Sequence, residues 1–259
     1  TASGNASVVG GGASNTASGY RGTVTGGASN VASGSYSVAA GGNGNNSSGA
    51  YAVLGGGISN TSNGQATTVA GGRAHTASAT YATIGGGYNN ISCGYTSTVS
   101  GGYTNRARGQ ETTVGGGRNN NANGLCFNTV SGGVNNTASG YIAATISGGS
   151  ANCASNQFTA ISGGKNNTTS GYGSSIGGGG SNATGNNWTV IGGGFANSAS
   201  GAQSTVGGGN GNISSGTEST VSGGVSNSAS GYRSTVGGGQ SNLASAAHST
   251  VSGGRANTA

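Results

Sequence analysis

Proline and aspartate are absent from this 259-residue chain, and glutamate occurs only at Glu111 and Glu218, while glycine accounts for 61 residues. So much glycine would suit collagen, but collagen needs Gly at every third position and abundant Pro. Calcium-loaded Gly-rich nonapeptide repeats need an Asp in each row, which this chain cannot supply. Paired-carboxylate chemistry would have to use Glu111 and Glu218, which the repeat described below sets seven rows apart, roughly 34 Å at parallel-sheet spacing. His75 and His248 lie further apart still, and the abundant serines have no nearby His–acid pair from which to build a hydrolase triad. We therefore read the chain as non-enzymatic, without cofactor or metal.

Charge is scarce as well. Eight cations against two acids give a net +6, spread too thinly for the basic stripe that nucleic-acid binding requires. No apolar run of about 20 residues is present to span a membrane. Cys93, Cys126 and Cys153 fall in different columns of the repeat and at least two rows apart, too far to bridge one another. They read as free thiols or packed small residues, with interchain pairing left open by the odd count.

What the chain does contain is one sentence, repeated. Ser219-Thr220-Val221-Ser222-Gly223-Gly224-Val225-Ser226-Asn227-Ser228-Ala229-Ser230-Gly231-Tyr232-Arg233 is followed by the next copy at Ser234. The aliphatic residue before the paired glycines recurs from Val9 to Val251 in 17 rows, 15 residues apart except for two spacings of 16 on either side of Val130. A fixed period of this kind indicates a repeat architecture rather than disorder, which would not hold Val, Gly-Gly and Asn in register. Residues 1–259 read as one continuous array, and because it starts and stops in mid-repeat it is expected to be a segment of a longer fibre.

Within a row, Ser-Thr-Val is a β-branched run, Gly-Gly punctuates it, and Asn-x-Ala-Ser-Gly forms a second short segment before the next turn. Helix is excluded by the recurrent glycines and by the lack of a 3.6-residue period. The expected fold is all-β: a coil of two short strands per turn, stacked as parallel in-register sheets about 4.8 Å apart. The paired glycines read as turn residues. A phosphate-cradling loop would need a helix after the strand. Asn stands six residues after the anchor in 16 of the 17 rows, His75 being the exception, and stacking would line these amides into a ladder, each donating to a carbonyl of the next row. The ladder competes with a glycosylation reading at Asn60-Thr61-Ser62, Asn90-Ile91-Ser92 and Asn212-Ile213-Ser214, and is the stronger account because Asn recurs where no acceptor motif follows, as at Asn15 and Asn136. With one aliphatic residue per row the core is thin: burying a Val brings about 1.5–3 kcal/mol, against about 1–2 kcal/mol for fixing each residue's backbone. The aliphatic column is therefore expected to face a partner copy of the chain.

At Asn136–Tyr141, Asn-Thr-Ala-Ser-Gly-Tyr, and at Ser234–Gly239, Ser-Thr-Val-Gly-Gly-Gly, the sequence resembles the head repeat of trimeric autotransporter adhesins, the YadA-like family. The resemblance covers essentially the whole chain, although the row is one residue longer than the family's commoner one and carries a second glycine at each turn. It implies a left-handed parallel β-roll of about 17 fifteen-residue rows, three chains associated as an intertwined or side-by-side homotrimer, and an extracellular, cell-surface fibre that attaches to host matrix, glycans, cells, other fibres or solids. Two other classes stay open: a purely structural filament or phage-type fibre, and an ice-binding solenoid. Regular ice-binding faces present Thr-x-Thr, whereas here the residue after the anchor is Gly, Ser, Ala or Thr.

Two groups of residues stand out for contact with a ligand or partner. Four residues after the anchor, successive rows place Arg73, Tyr88, Tyr103 and Arg118 in one column, with Arg106 and Arg108 nearby as the chain's only close pair of cations. Arg offers forked donors to carboxylate or sulfate, and Tyr a flat face with a hydroxyl; the competing reading is a stabilising stack. In the two long rows an extra residue brings in Leu125, Phe127, Tyr141 and Ile142, read as a bulge whose apolar side chains either fold back on the coil or form a lip for a neighbouring fibre.

Overall fold

The computed structural model describes residues 1–259. The chain is all-β, with 33 strands of two residues and no helix; accordingly no helix is long and apolar enough to cross a membrane. It divides into two compact units, Thr1–Gly133 and Val134–Ala259, and each is a parallel β-solenoid built on the fifteen-residue row.

In the first unit the anchor strands, Val8–Val9 through Thr129–Val130, pair in parallel with the next row, as in Thr83↔Thr98 and Ile84↔Val99. The return strands, Thr16–Ala17 through Asn121–Ala122, form the opposite sheet in the same register. The second unit repeats the plan, with anchor strands Thr145–Ile146 through Thr250–Val251 and return strands Thr137–Ala138 through Leu243–Ala244. Strands stay this short because left-handed residues interrupt every row: the second glycine of each pair, the residue five after the anchor, and the residue three before the next anchor.

The two glycines of a pair are not equivalent. The second holds φ between 81° and 94° in every row, and a Cβ on it would overlap the next row's glycine carbonyl and, in most rows, the amide nitrogen of its own row's Asn. Only glycine fits there. The first faces open space in most rows.

Behind the second glycine runs the asparagine ladder. Asn45 Nδ2 donates to the carbonyl of Gly41 in its own row (2.7 Å) and of Gly57 in the next (2.9 Å), while its Oδ1 accepts the Asn60 N–H (2.9 Å). The same three bonds recur at Asn197 with Gly193, Gly209 and Asn212. The expected donation to the next row's carbonyl is present, and that carbonyl belongs to backbone rather than to another amide. His75 fits this position by mimicry: its N–H donates to Asn60 Oδ1 and its Nδ1 accepts the Asn90 N–H, both at 3.0 Å. Its Nε2 is turned toward the Gly87 carbonyl without a bond of ordinary geometry. The side chains of Asn60, Asn90 and Asn212 are buried in this ladder, which favours the structural reading of those motifs over glycosylation.

The expectation that the aliphatic column faces a partner copy is overturned. From Val24 to Val130 in the first unit and from Ile146 to Val251 in the second, the anchors are between 0 and 6 % exposed within a single chain. The return strand closes over them with small residues: Ala17, Val24, Ala32 and Ala39 form one cluster with Val9 packed against it. Residues two before the anchor are also inside, and in three rows their hydroxyls pair with one on the return strand: Ser62 Oγ with Thr67 Oγ1 (2.6 Å), Ser92 with Ser97 (2.8 Å) and Ser214 with Ser219 (2.7 Å). The thin aliphatic core is thus supplemented by buried hydrogen bonds, and any partner copy must use another face. The three cysteines are free, and burial pushes the Cys153 thiol above its ordinary range.

Two predictions follow from the ladder. Asn197→Ala removes the partners of two carbonyls and one buried N–H; at about 1–3 kcal/mol for each orphaned group, partly relieved by water, the loss should be about 2–4 kcal/mol, read by denaturant unfolding. At His75, burial lowers the imidazole pKa below its ordinary 6.5, with the contact to the Gly87 backbone opposing the shift. Between the lowered folded value and about 6.5 the unfolded chain binds more protons. The stability from neutral His75 is therefore complete above about pH 6.5 and lost as pH falls toward the folded value. Melting temperature should drop between about pH 7.5 and pH 5, and His75→Asn should flatten that drop.

Candidate functional site

Apart from His75, inward positions are occupied by aliphatic, small and amide side chains, so most of what distinguishes one row from the next stands outside. Two exposed columns carry most of this variation: the residue four after the anchor, at the glycine corner, and the residues three and four before the next anchor, at the opposite corner.

At the glycine corner of the first unit, parallel bridges run Ile58↔Arg73↔Tyr88↔Tyr103↔Arg118, so the four residues singled out from the sequence do form one column. Tyr88 and Tyr103 stack with centroids 5.1 Å apart and planes 16° from parallel, and the Arg73 guanidinium lies 5.8 Å from the Tyr88 centroid. Arg118 continues the column beyond Tyr103. Arg106 and Arg108 flank buried Ala107 on the adjacent return strand, so both side chains project to the outer face of that sheet. Arg108 is exposed; Arg106 is half-buried, with its Nε lacking a hydrogen-bond partner. The first unit's one carboxylate, Glu111, is at the opposite corner, where Gln110 Nε2 donates to it (3.2 Å). The Arg–Tyr face therefore carries uncompensated positive charge beside two stacked phenols. Such a face can hold carboxylate or sulfate through forked guanidinium bonds while the rings cover apolar ligand surface.

The apolar residues of the long rows fall in different units. In the first, Leu125 and Cys126 together oppose Gln110: the Gln110 N–H donates to the Leu125 carbonyl, the Phe127 N–H donates to the Gln110 carbonyl, and Gln110 bridges Cys126. Two residues against one is a bulge, and it leaves Leu125 and Phe127 exposed. In the second unit the Phe158 N–H donates to the Ile142 carbonyl, so Tyr141 is the additional residue. It is exposed, while Ile142 is half-buried.

Apart from Phe127 and Tyr141 in the long rows, sequence reasoning missed the aromatic residues of the opposite corner. Ten of the 14 aromatic residues lie there, and Tyr141, five before its anchor in a long row, lies beside them; only Tyr88, Tyr103 and Phe195 are elsewhere. In the first unit Tyr20 meets Tyr36 edge-on (5.4 Å), Tyr36 stacks on Tyr51 (5.1 Å, 6°), and Arg21 lies within 5.6 Å of the Tyr20 and Tyr36 centroids. In the second, Phe158, Tyr172 and Trp188 run in series, and Tyr232 packs against His248 beside an exposed Arg233–Glu218 ion pair of 2.7 Å. Arg233 holds the Glu218 carboxyl below its ordinary range. The available signal was positional: aligning three residues before each anchor collects Tyr36, Tyr51, Tyr81, Phe127, Phe158 and Trp188. That position is left-handed in every row, with φ from 50° to 65°, at a cost of about 1–2 kcal/mol for a residue bearing a Cβ. Ala66, Ala143 and Gln203 take the same φ, so the coil does not require a ring there.

No cluster of three or more His, Cys, Asp or Glu residues could hold a metal ion. Neither protein-family models nor curated protein sequences gave a match to the chain.

The stacked column is tested by Tyr88→Ser with Tyr103→Ser. If the rings bind ligand, attachment to polygalacturonate or heparin surfaces should fall several-fold per folded molecule, with a stability loss of no more than about 0.5–1 kcal/mol per lost ring contact. A fall in melting temperature with unchanged attachment would make the column purely structural.

Proposed function

We propose that the chain is the head or shaft of an extracellular, trimeric adhesive fibre that attaches to cells, matrix or solid surfaces. The observation that supports this reading best is the division of labour within each row. Apart from His75, buried positions hold Asn, aliphatic and small or hydroxyl-bearing residues, whereas the exposed corner columns carry Arg, Tyr, Phe, Trp and Lys on a rigid periodic frame. A purely structural filament has no use for exposed rings held on strained backbone, and arrays of this kind suit multivalent attachment, in which many weak contacts add. The resemblance to trimeric autotransporter head repeats supports the extracellular setting and the three-chain assembly.

Since each chain covers its own aliphatic column, association falls to an outer face. The outer face of the anchor sheet is the candidate, because the residues immediately before and after each anchor include no charged side chain to desolvate. That face also carries a feature that favours ice binding, unbroken threonine columns: Thr68, Thr83, Thr98, Thr113 and Thr129 in the first unit and Thr205, Thr220, Thr235 and Thr250 in the second.

Three measurements separate these readings. Sedimentation at low micromolar concentration should give a trimer that Thr98→Arg with Thr113→Arg dissociates; a folded monodisperse wild-type monomer would sink the assembly. Purified protein should adhere to matrix-coated or polysaccharide-coated surfaces above an inert-protein control. Thermal hysteresis without adhesion would instead assign the threonine columns to ice.

A further inference from the structure

The second unit carries, at the corner three and four residues before the anchors, a cluster that neither the fold nor the arginine–tyrosine column explains. Phe158, Tyr172 and Trp188 lie in three successive rows, with centroid separations of 5.4 and 5.2 Å and interplanar angles of 78° and 76°. Phe158 and Trp188 hold left-handed φ of 55° and 59° and remain 49 % and 55 % exposed, so they accept backbone strain without the compensation of full burial. Beneath Trp188 the row carries Gly173, the one glycine in this column, and a Cβ there would overlap the six-membered ring of the indole. The indole is seated on bare backbone on one side, has Gln203 of the next row on the other, and keeps more than half of its surface in solvent.

The surroundings indicate what that exposed surface would meet. No charged residue occupies this corner in the rows from Gln157 to Gln203, in contrast to the basic face of the first unit. Amides take the place of charge. Asn187 Oδ1 accepts the Tyr172 N–H (3.1 Å) and Asn186 Oδ1 accepts the Asn187 N–H (2.8 Å). Each amide is thereby oriented by its oxygen, and its NH2 group is left toward solvent, since both residues are exposed. Rings with apolar faces beside fixed, uncharged donors match a ligand that is apolar on its faces and hydroxylated at its rim. An apolar protein surface would leave the amides without partners; a polyanion would find no cation.

We propose that Phe158, Tyr172 and Trp188 form a binding platform for a neutral polysaccharide, laid along the stack of rows. The C–H faces of pyranose rings carry the slight positive charge that the faces of aromatic rings attract, and the step from one aromatic to the next is close to the length of one sugar unit. Asn186 and Asn187 donate to sugar hydroxyls at the rim. This is a second site, and it stands whether or not the arginine–tyrosine column binds anything.

Trp188 is the only tryptophan in the chain, so its emission reports the site directly. The intact chain is titrated with cellohexaose, chitohexaose and mannohexaose, with polygalacturonate as the anionic comparison. The expected result is a saturable blue shift or intensity change with at least one neutral oligosaccharide. Tyr172→Ala and Asn187→Ala should each weaken binding about tenfold while the chain stays folded, with the melting temperature lowered by no more than the lost ring contacts or backbone hydrogen bond account for, and Trp188→Ala should abolish the heat of binding in calorimetry. Three results overturn the proposal: no saturable change with any of the three neutral probes, a response to polygalacturonate alone, or an emission shift on raising protein concentration without sugar, which would make the cluster a contact between copies of the chain. Loss of sugar binding in Tyr172→Ala with surface adhesion retained would separate this site from the attachment reading.

Discussion

The interaction on which each coil depends is the bond between an asparagine side chain and the glycine backbone around it. Strands of two residues supply too few ladder bonds to define a sheet, and a single aliphatic residue per row supplies little burial. The amide fixes what these leave loose: its NH2 ties the first glycine of its own row to the second glycine of the next, and its oxygen takes the N–H of the next asparagine. Turn geometry, register and row spacing are thus set by one side chain with three bonds in a buried setting, where an unmade bond is expensive. The second glycine is the steric complement of that amide, since a Cβ would strike it.

His75 shows how narrow the requirement is. An imidazole reproduces the acceptor at Nδ1 and directs Nε2 toward the carbonyl that the amide would have reached, so the ladder passes through with one bond weakened. The substitution introduces a dependence on protonation that asparagine lacks, because an imidazolium has no lone pair for the Asn90 N–H. One row thereby becomes sensitive to acid in an otherwise uncharged interior.

Once the interior is set by backbone and amides, the outside is free to vary. The left-handed residue before each anchor strand is held by an inter-row bond, as in the Tyr36 N–H to the Tyr20 carbonyl at 2.7 Å, and that bond does not depend on the side chain carried. Alanine, glutamine, tyrosine and tryptophan occupy the position alike. A solenoid of this design can present different surfaces on one frame: a basic aromatic face in the first unit, and an uncharged aromatic corner flanked by amides in the second. That independence of surface from core underlies both the attachment reading and the second binding platform.

The period, the strand class, the glycine turn and the place of the asparagine ladder were determined by the sequence alone, because each follows from local chemistry repeated at fixed spacing. The bulge at Leu125 and Cys126 was legible for the same reason, as one residue too many in a counted row. Only the tertiary structure decided where the anchors face. Counting one valine or isoleucine per row predicts a core too lean to stand alone. The closed coil adds Ala17, Ser62, Thr67 and the buried amides to that core, and a residue type cannot reveal how far the opposite strand approaches. The aromatic corner escaped for a related reason: Tyr172 and Trp188 are 16 residues apart in sequence, and they become neighbours 5.2 Å apart only because the turn before each anchor strand throws the residues on both sides of it to the same edge of the coil.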